Sequence, residues 1–347
     1  MNQRVLKFFW IALVLSPVPV WATELSLPFV IAFGSCNDQD REQPLWKPLT
    51  RMVPDLFVFL GDNVYADTDD ETEMRAVYAR QNQVPGYRSF KQAVQIEGIW
   101  DDHDFGVNDG DSAFGGREMA QQAMLDFFGE PATSSRRTQH GIFDARYFEV
   151  AGRKKTTRVQ LLLLDTRYFK SPWKGSSSFT RRYDPEESTG KTMLGEAQWE
   201  WLERELSKPA DLRVIASGLQ VLNGYHGYEH WALFPHERER LFQLFRNTRA
   251  NGVVLLSGDR HFAEISRRDD ILDYTLYDFT SSGMTHSFEH GDQSLNPDRI
   301  AIYTGLNFGS ITVNAEHVVL RIHNRRGRAV ETVRIRMEDL QLPEYSL

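Results

Sequence analysis

Short apolar runs at 28–34, 55–60, 95–100, 157–165, 212–217 and 252–258 alternate with amphipathic stretches at 42–52, 70–82, 115–128, 195–207 and 236–249. Apolar runs of four to eight residues read as buried strands, and apolar positions recurring every three or four residues read as helices. Strands that alternate with helices predict an α/β fold with largely parallel pairing. A further strand pattern lies at 141–150, and those at 263–267, 274–280, 311–323 and 331–336 enrich the last hundred residues and predict a second sheet or an antiparallel extension. In the helix at 195–207, Ala197, Trp199, Trp201, Leu202 and Leu206 form a broad apolar face, so its tryptophans are expected to pack rather than bind. The stretch 171–192 carries Pro172, Pro185 and three consecutive serines without a period. It reads as an excursion over the surface near a site mouth.

Four of the apolar runs end in side chains that can hold a metal. They run into Gly34-Ser35-Cys36-Asn37, Gly61-Asp62-Asn63-Val64-Tyr65, Asp101-Asp102-His103-Asp104 and Gly258-Asp259-Arg260-His261. A buried strand delivers the residues after it to the carboxyl edge of a sheet, where α/β proteins build their sites. One such ending is ordinary; four predict a shared metal centre.

Asp62, on a tight turn after a strand, either bridges two cations or caps the next helix. Tyr65 and Cys36 ligate only when deprotonated, and together they favour iron over magnesium, although Cys36 also fits a small buried thiol. The segment Asp101 to Asp109 holds four carboxylates between Trp100 and the loop beyond Phe105. Anchored carboxylates this close require cations or donors. Asp102 is assigned to a metal, Asn108 to a harder ion such as calcium, and His103 to protonation of a leaving oxygen. Asp259 and His261 project to one side of an extended backbone and would chelate, with Arg260 pairing structurally or touching substrate and Glu264 behind them. Arg167, after the strand ending in Asp165-Thr166, suits a bidentate grip on phosphate or a structural pair with Asp165. Thr280 to His286 either lines the pocket or forms a capped turn.

Composition is that of ordinary globular material, 41% hydrophobic and 25% charged over 347 residues. The start differs. Arg4 and Lys7 precede the apolar run Phe8 to Leu15, and Val20-Trp21-Ala22 precedes a cleavage point. This predicts a secretory signal peptide over 1–22 and a single domain over 23–347, in a periplasmic or secreted protein. An uncleaved anchor is the rival, but Pro17 and Pro19 interrupt the run short of the roughly 20 residues of a span. Cleavage removes two basic residues and no acidic ones, taking the net charge from -8 to -10. Such a charge disfavours nucleic acid as a partner but not a phosphate ester held by bound cations. Cys36 is the only cysteine, so the chain has no internal disulfide.

Phe33-Gly34-Ser35-Cys36, Gly61 to Asp67, Trp100 to Asp104, Leu164-Asp165-Thr166-Arg167 and Gly258 to His261 resemble, in order, the motifs of the alkaline phosphatase D (PhoD-like) family of calcineurin-like metallophosphoesterases. The resemblance spans about 29 to 290. It implies a four-layer αββα sandwich of two mixed β-sheets flanked by helices, and hydrolysis of phosphate mono- or diesters by metal-activated water. It also implies Fe(3+) held by Cys36, Asp62, Tyr65 and His261, and Ca(2+) held by Asp62, Asp102, Asn108 and Asp259. The chain enters the first motif soon after its leader, without the N-terminal β-domain of longer members, and its leader lacks a twin arginine. Substrate contacts are expected from Arg167 and Arg260, with a small phosphate ester as the only partner and no membrane span after cleavage. The rival readings are a phosphodiesterase or phospholipase D-like enzyme, and a metal-binding protein of the same fold without turnover.

Overall fold

The computed structural model describes residues 22–26, 28–152, 155–288, 295–314 and 316–343. The predicted signal peptide lies outside these residues apart from Ala22. Two mixed sheets lie face to face. The six-stranded sheet runs in the order β16 (Ala329–Arg336), β15 (His317–Asn324), β14 (Asn307–Val313), β2 (Phe29–Gly34), β3 (Leu56–Leu60) and β4 (Gln95–Ile99). The eight-stranded sheet runs β1 (Ala22–Ser26), β5 (Asp144–Ala151), β6 (Thr157–Leu163), β9 (Leu212–Ser217), β10 (Val253–Ser257), β12 (Leu276–Ser281), β11 (Ala263–Arg268) and β13 (Arg299–Tyr303).

Strands β2, β3 and β4 pair in parallel, as do β6, β9, β10 and β12. Helices cover both of their outer faces, which is why these strands read as unbroken apolar runs. On the six-stranded sheet lie α1 (Trp46–Met52), α2 (Glu71–Gln83), α3 (Pro85–Ala93) and α5 (Arg117–Phe128), with the one-turn α4 (Asp102–Phe105) at its edge. The α1 residue Trp46 is fully buried among Phe57 and Phe59 of β3 and Tyr87 and Phe90 of α3, at centroid separations of 5.0–5.9 Å. On the eight-stranded sheet lie α6 (Gly195–Leu206) and α7 (Pro235–Asn247). Trp199 of α6 is buried and donates to Glu237 of α7 at 3.0 Å, so it packs as expected. Between the sheets Phe33 meets Phe279 edge-on at 4.8 Å. The expected four-layer αββα sandwich is the architecture found.

Several elements depart from expectation. Helix α3, which Pro85 opens, carries too short an apolar pattern to separate from α2. The single run expected at 311–323 is two antiparallel strands, because Asn314 turns the chain with its N–H donating to His317 O at 3.0 Å. Strand β13 was also unforeseen, and the excursion at 171–192 holds a small hairpin of β7 (Lys174–Gly175) and β8 (Tyr183–Asp184).

The carboxyl ends of the parallel strands in both sheets meet at one edge. A side chain on Gly258, after β10, would lie 2.5 Å from Leu60 O of β3 and 2.8 Å from Ser35 Oγ after β2. Glycine there lets the second sheet's edge close onto the first. Removing the Trp46 ring should expose how far the helical layer depends on it: Trp46→Ala is expected to cost about 3–5 kcal/mol, read as a lower urea midpoint at unchanged slope.

Candidate metal centre

The four strand endings converge where the two sheets meet, three from the six-stranded sheet and one from the eight-stranded. Cys36, Asp62, Asp259 and His261 all adopt left-handed backbone, with φ of 59, 48, 65 and 56°. Each such non-glycine residue costs roughly 1–3 kcal/mol and persists only where its surroundings hold it. Here neighbouring segments supply the hold, through backbone and the Ser282 hydroxyl. Asn37 N donates to Asp62 O at 2.8 Å, Thr285 N to Cys36 O at 3.2 Å, and His261 N to Ser282 Oγ at 2.7 Å. Asp259 and His261 therefore reach one cavity through tight turns rather than through the expected extended backbone.

Cys36 Sγ lies 3.3 Å from Asp62 Oδ2, Tyr65 Oη lies 3.5 Å from the same oxygen, and Tyr65 Oη is 3.5 Å from His261 Nε2. His286 Nε2 stands 3.2 Å from both Tyr65 Oη and His261 Nε2. A second group, Asp62, Asp102 and His103, and a third, Asp102, Asp109 and Glu229, each offer ligand atoms within 4.8 Å of one another. They border a cavity of about 130 Å³ also lined by Asn108, Asp259, Arg260, Arg182, Tyr183, Tyr228 and Phe288.

The acidic run after β4 divides its labour. Asp101 caps α4 and accepts from Arg167 Nε at 2.6 Å, while Asp104 accepts from Asp101 N and Asn63 N. Asp102 lines the cavity, accepting from Asp109 N at 2.6 Å. His103 Nδ1 is held by Asp67 at 2.8 Å. Asp109 is gripped by Tyr183 and by Arg182, the latter at 2.7 Å, so the hairpin excursion does reach the mouth.

Arg167 is not placed as a phosphate clamp. Its side chain is 0% exposed, and its guanidinium bonds Asp101 on one side and Glu229 in bidentate fashion on the other, at 2.7 and 2.8 Å. Asp165 is not its side-chain partner either, but accepts from its backbone N–H and from Trp100 Nε1. Arg260 and Arg182 are the guanidiniums at the cavity; Arg182 is engaged by Asp109, and Arg260 is placed differently. It lies 3.8 Å from Asp259 Oδ2 and 4.7 Å from the Tyr228 ring centroid, and its buried Nε finds no partner among the described residues. Glu264 sits away from the cavity, bound to Arg299, Asn223 and Asn296.

The electrostatics match a site made for cations. Burial, then Cys36 and Asp102, push the Asp62 carboxyl well above the carboxylate range. Burial pushes Asp259 up to about 7 against the pull of Arg260. Burial raises the Cys36 thiol to about 11, and burial with His286 and Arg260 brings His261 down to about 3, leaving it neutral. Burial opposes charge on Asp102 and on His103 as well, yet Arg167 and His103 hold Asp102 at about 2, while Asp67, Asp62 and Asp102 lift His103 to about 11. Asp62 Oδ1 and His261 Nδ1 are buried without hydrogen-bond partners among the described residues. Buried atoms of this kind are normally satisfied; a cation beside Asp62 would satisfy its Oδ1, with the Cys36 thiol, the Tyr65 phenol and the Nε2 of neutral His261 as further donors close by. The donor set fits a bound metal.

With this geometry in hand, comparison with known proteins decides the family. The family described as PhoD-like phosphatase matches residues 31–332. The chain belongs to it. This PhoD-like phosphatase is accordingly a phosphoric ester hydrolase. Its fold is similar to a structure of PhoD, at 17% identity and TM-score 0.72, covering 91% of this chain and 70% of that one. It is also similar to purple acid phosphatase PPD1 from yellow lupin (Lupinus luteus) seeds, at 11% identity and TM-score 0.59, covering 93% and 57%. GAP50, the anchor in the inner membrane complex of Plasmodium, shares the fold at 12% identity and TM-score 0.57, covering 89% and 88%. At such identities these likenesses speak for fold alone. No curated protein matches the chain. Among the described residues no helix is long and apolar enough to cross a membrane.

Sequence reasoning missed Glu229 as a cavity residue and His286 as the neighbour of Tyr65 and His261. His286 closed a hydroxyl-rich stretch that read as either pocket lining or a capped turn, but Glu229 had no local signal. If Arg167 is a buried ion-pair centre, Arg167→Met leaves Asp101 buried without a cation and Glu229 with only Lys170, 3.9 Å away, and Trp173. A loss of about 3–5 kcal/mol in unfolding free energy is expected, measured by denaturant titration; a rise in KM at unchanged stability would restore the clamp reading.

Proposed function

We propose that this PhoD-like phosphatase is an exported, metal-dependent phosphohydrolase acting on phosphate mono- or diesters in the periplasm or outside the cell. The observation that carries the reading is the meeting of Cys36, Asp62, Tyr65 and His261, two of them with unsatisfied buried atoms, beside a cavity holding Asp102, His103 and Arg260. Export is supported by the leader pattern at 1–22.

Cys36, Asp62, Tyr65 and His261 would hold Fe(3+), and Asp62, Asp102, Asn108 and Asp259 would hold Ca(2+). The thiol and phenol among the donors favour iron at the first position, and the all-oxygen set favours calcium at the second. Bound there, the ions supply Lewis acidity and neutralise the phosphate charge.

The chain's own groups do the rest. Arg260, its guanidinium at the cavity wall, receives the phosphate oxygens; Arg167 stays behind the wall and holds Asp101 and Glu229 in place. His103 donates the proton to the departing ester oxygen, because Asp67 engages its Nδ1 and leaves Nε2 for the substrate. Tyr65 packs against the imidazole at a centroid separation of 4.1 Å and fixes its plane.

Protein produced with iron and calcium available is expected to hydrolyse an aryl phosphate, an aryl phosphodiester or both, the ratio separating monoesterase from diesterase. It should carry a visible charge-transfer band from Tyr65 or Cys36 to iron(III). A colourless zinc or magnesium protein would sink the iron assignment, and turnover of neither ester would sink the reaction. His103→Gln should lower kcat by about 10²–10⁴ on alkyl phosphates and by much less on nitrophenyl phosphate, whose leaving group needs no proton.

A further inference from the structure

The large apolar side chains that remain exposed include four aromatic ones among the described residues, Phe179, Tyr225, Tyr228 and Phe288, at 108, 50, 55 and 57% exposure. They fall on three segments, and each segment also sends a residue into the cavity wall. Phe179 is in the turn between β7 and β8, beside Arg182 and Tyr183; Tyr225 and Tyr228 lie in the loop after β9, beside Glu229; Phe288 follows β12 and lines the cavity itself. Single exposed apolar residues need no explanation, and Tyr225 lines a separate groove with Arg268 and Asp270, but two exposed rings in the wall of one cavity, Tyr228 and Phe288, do.

Two of these rings are held in place with a face left free. Arg260 sits 4.7 Å from the centroid of Tyr228 and fixes that ring. Phe288 N donates to His261 O at 2.9 Å, and its ring lies 4.8 Å from the His261 ring. Both rings stand in the wall of the cavity that Asp62, Asp102, Asp259 and Arg260 also line, so the arm of an ester whose phosphate lies on those groups extends past them.

We propose that Tyr228 and Phe288 form a subsite for a planar aromatic ring on the ester arm, a nucleobase or an aryl group, which stacks on them while its phosphate occupies the cavity. The inference rests on the phosphohydrolase reading and extends it from reaction to substrate class. Stacking on tyrosine or phenylalanine tolerates any planar π-face, so the subsite selects for a ring without demanding one particular base. Ring-free sugar and glycerol phosphates gain nothing from it.

Adenosine 5′-monophosphate and ribose 5-phosphate present the same primary ester and differ in the base, so the ratio of their kcat/KM values isolates the subsite. The metal-loaded enzyme is expected to prefer the nucleotide by about tenfold. Tyr228→Leu and Phe288→Leu should each bring that ratio toward one, and Tyr228→Phe should keep it. Because each variant is judged by a ratio, general damage to the metal centre cancels. Phenyl phosphate separates the two ring sources: if its kcat/KM falls with that of the nucleotide in the leucine variants, the subsite takes aryl rings as well as bases, and if the nucleotide alone responds, it is a nucleobase subsite. A wild-type ratio of one, or a ratio unmoved by both leucine variants, would overturn the proposal while leaving the hydrolase intact. Absence of turnover on every ester would instead remove the hydrolase reading, and this one with it.

Discussion

Repulsion among buried carboxylates is the constraint around which this molecule is arranged. Asp62, Asp101, Asp102 and Glu229 are all buried where the two sheets meet, with Asp259 half-buried beside them. An unpaired buried charge is costly enough that such groups otherwise take up protons. The fold answers in two ways. Arg167 pairs with Asp101 and Glu229 and helps hold Glu229 and Asp102 ionised, although burial still pushes Asp101 up, while Asp62 and Asp259 receive no comparable partner and are pushed toward protonation. What the protein leaves uncompensated is what a cation can claim, so the buried arginine and the metal centre are complementary parts of one charge arrangement.

The same edge is stiff. Four candidate ligands sit in left-handed turns that side-chain-bearing residues rarely adopt, and each turn is tied to a neighbouring strand ending by a backbone hydrogen bond or through Ser282. Strain of this kind survives because the surrounding sheets and the aromatic layer around Trp46 would have to move together to relieve it. The mouth is built differently, from loops and a two-residue hairpin joined to the site at a few points such as Tyr183 with Asp109. Chemistry on the rigid edge and selection on the loops is the usual division in α/β enzymes.

Where the sequence was legible, the information was local. The apolar runs of β2, β3, β4 and β10, and the residues directly after them, are enough to direct Asp62, Asp102 and Asp259 to one cavity and Cys36 and Tyr65 to the side of Asp62. Arg167 shows the opposite case. Asp-Thr-Arg after β6 resembles a strand ending that presents a guanidinium, and nothing near it in the chain reveals that Asp101 and Glu229, 66 and 62 residues away, enclose it. The alternation of Asp259 and His261 likewise pointed to a shared face, but through extended backbone that the tight turns replace.

The sequence by itself determined which segments become strands, which chemical groups stand at their ends and, through the order of the motifs, the family. Those properties depend on side-chain type and on periods of two to four residues, which are written locally. Only the tertiary structure decided that the second sheet closes onto the first at Gly258, that Arg260 and not Arg167 faces the cavity, that Glu229 and His286 join the site, and that Tyr228 and Phe288 stand in the cavity wall. These are contacts between segments far apart in the chain, and long-range charge pairing and steric closeness leave no periodic trace in the residues that make them.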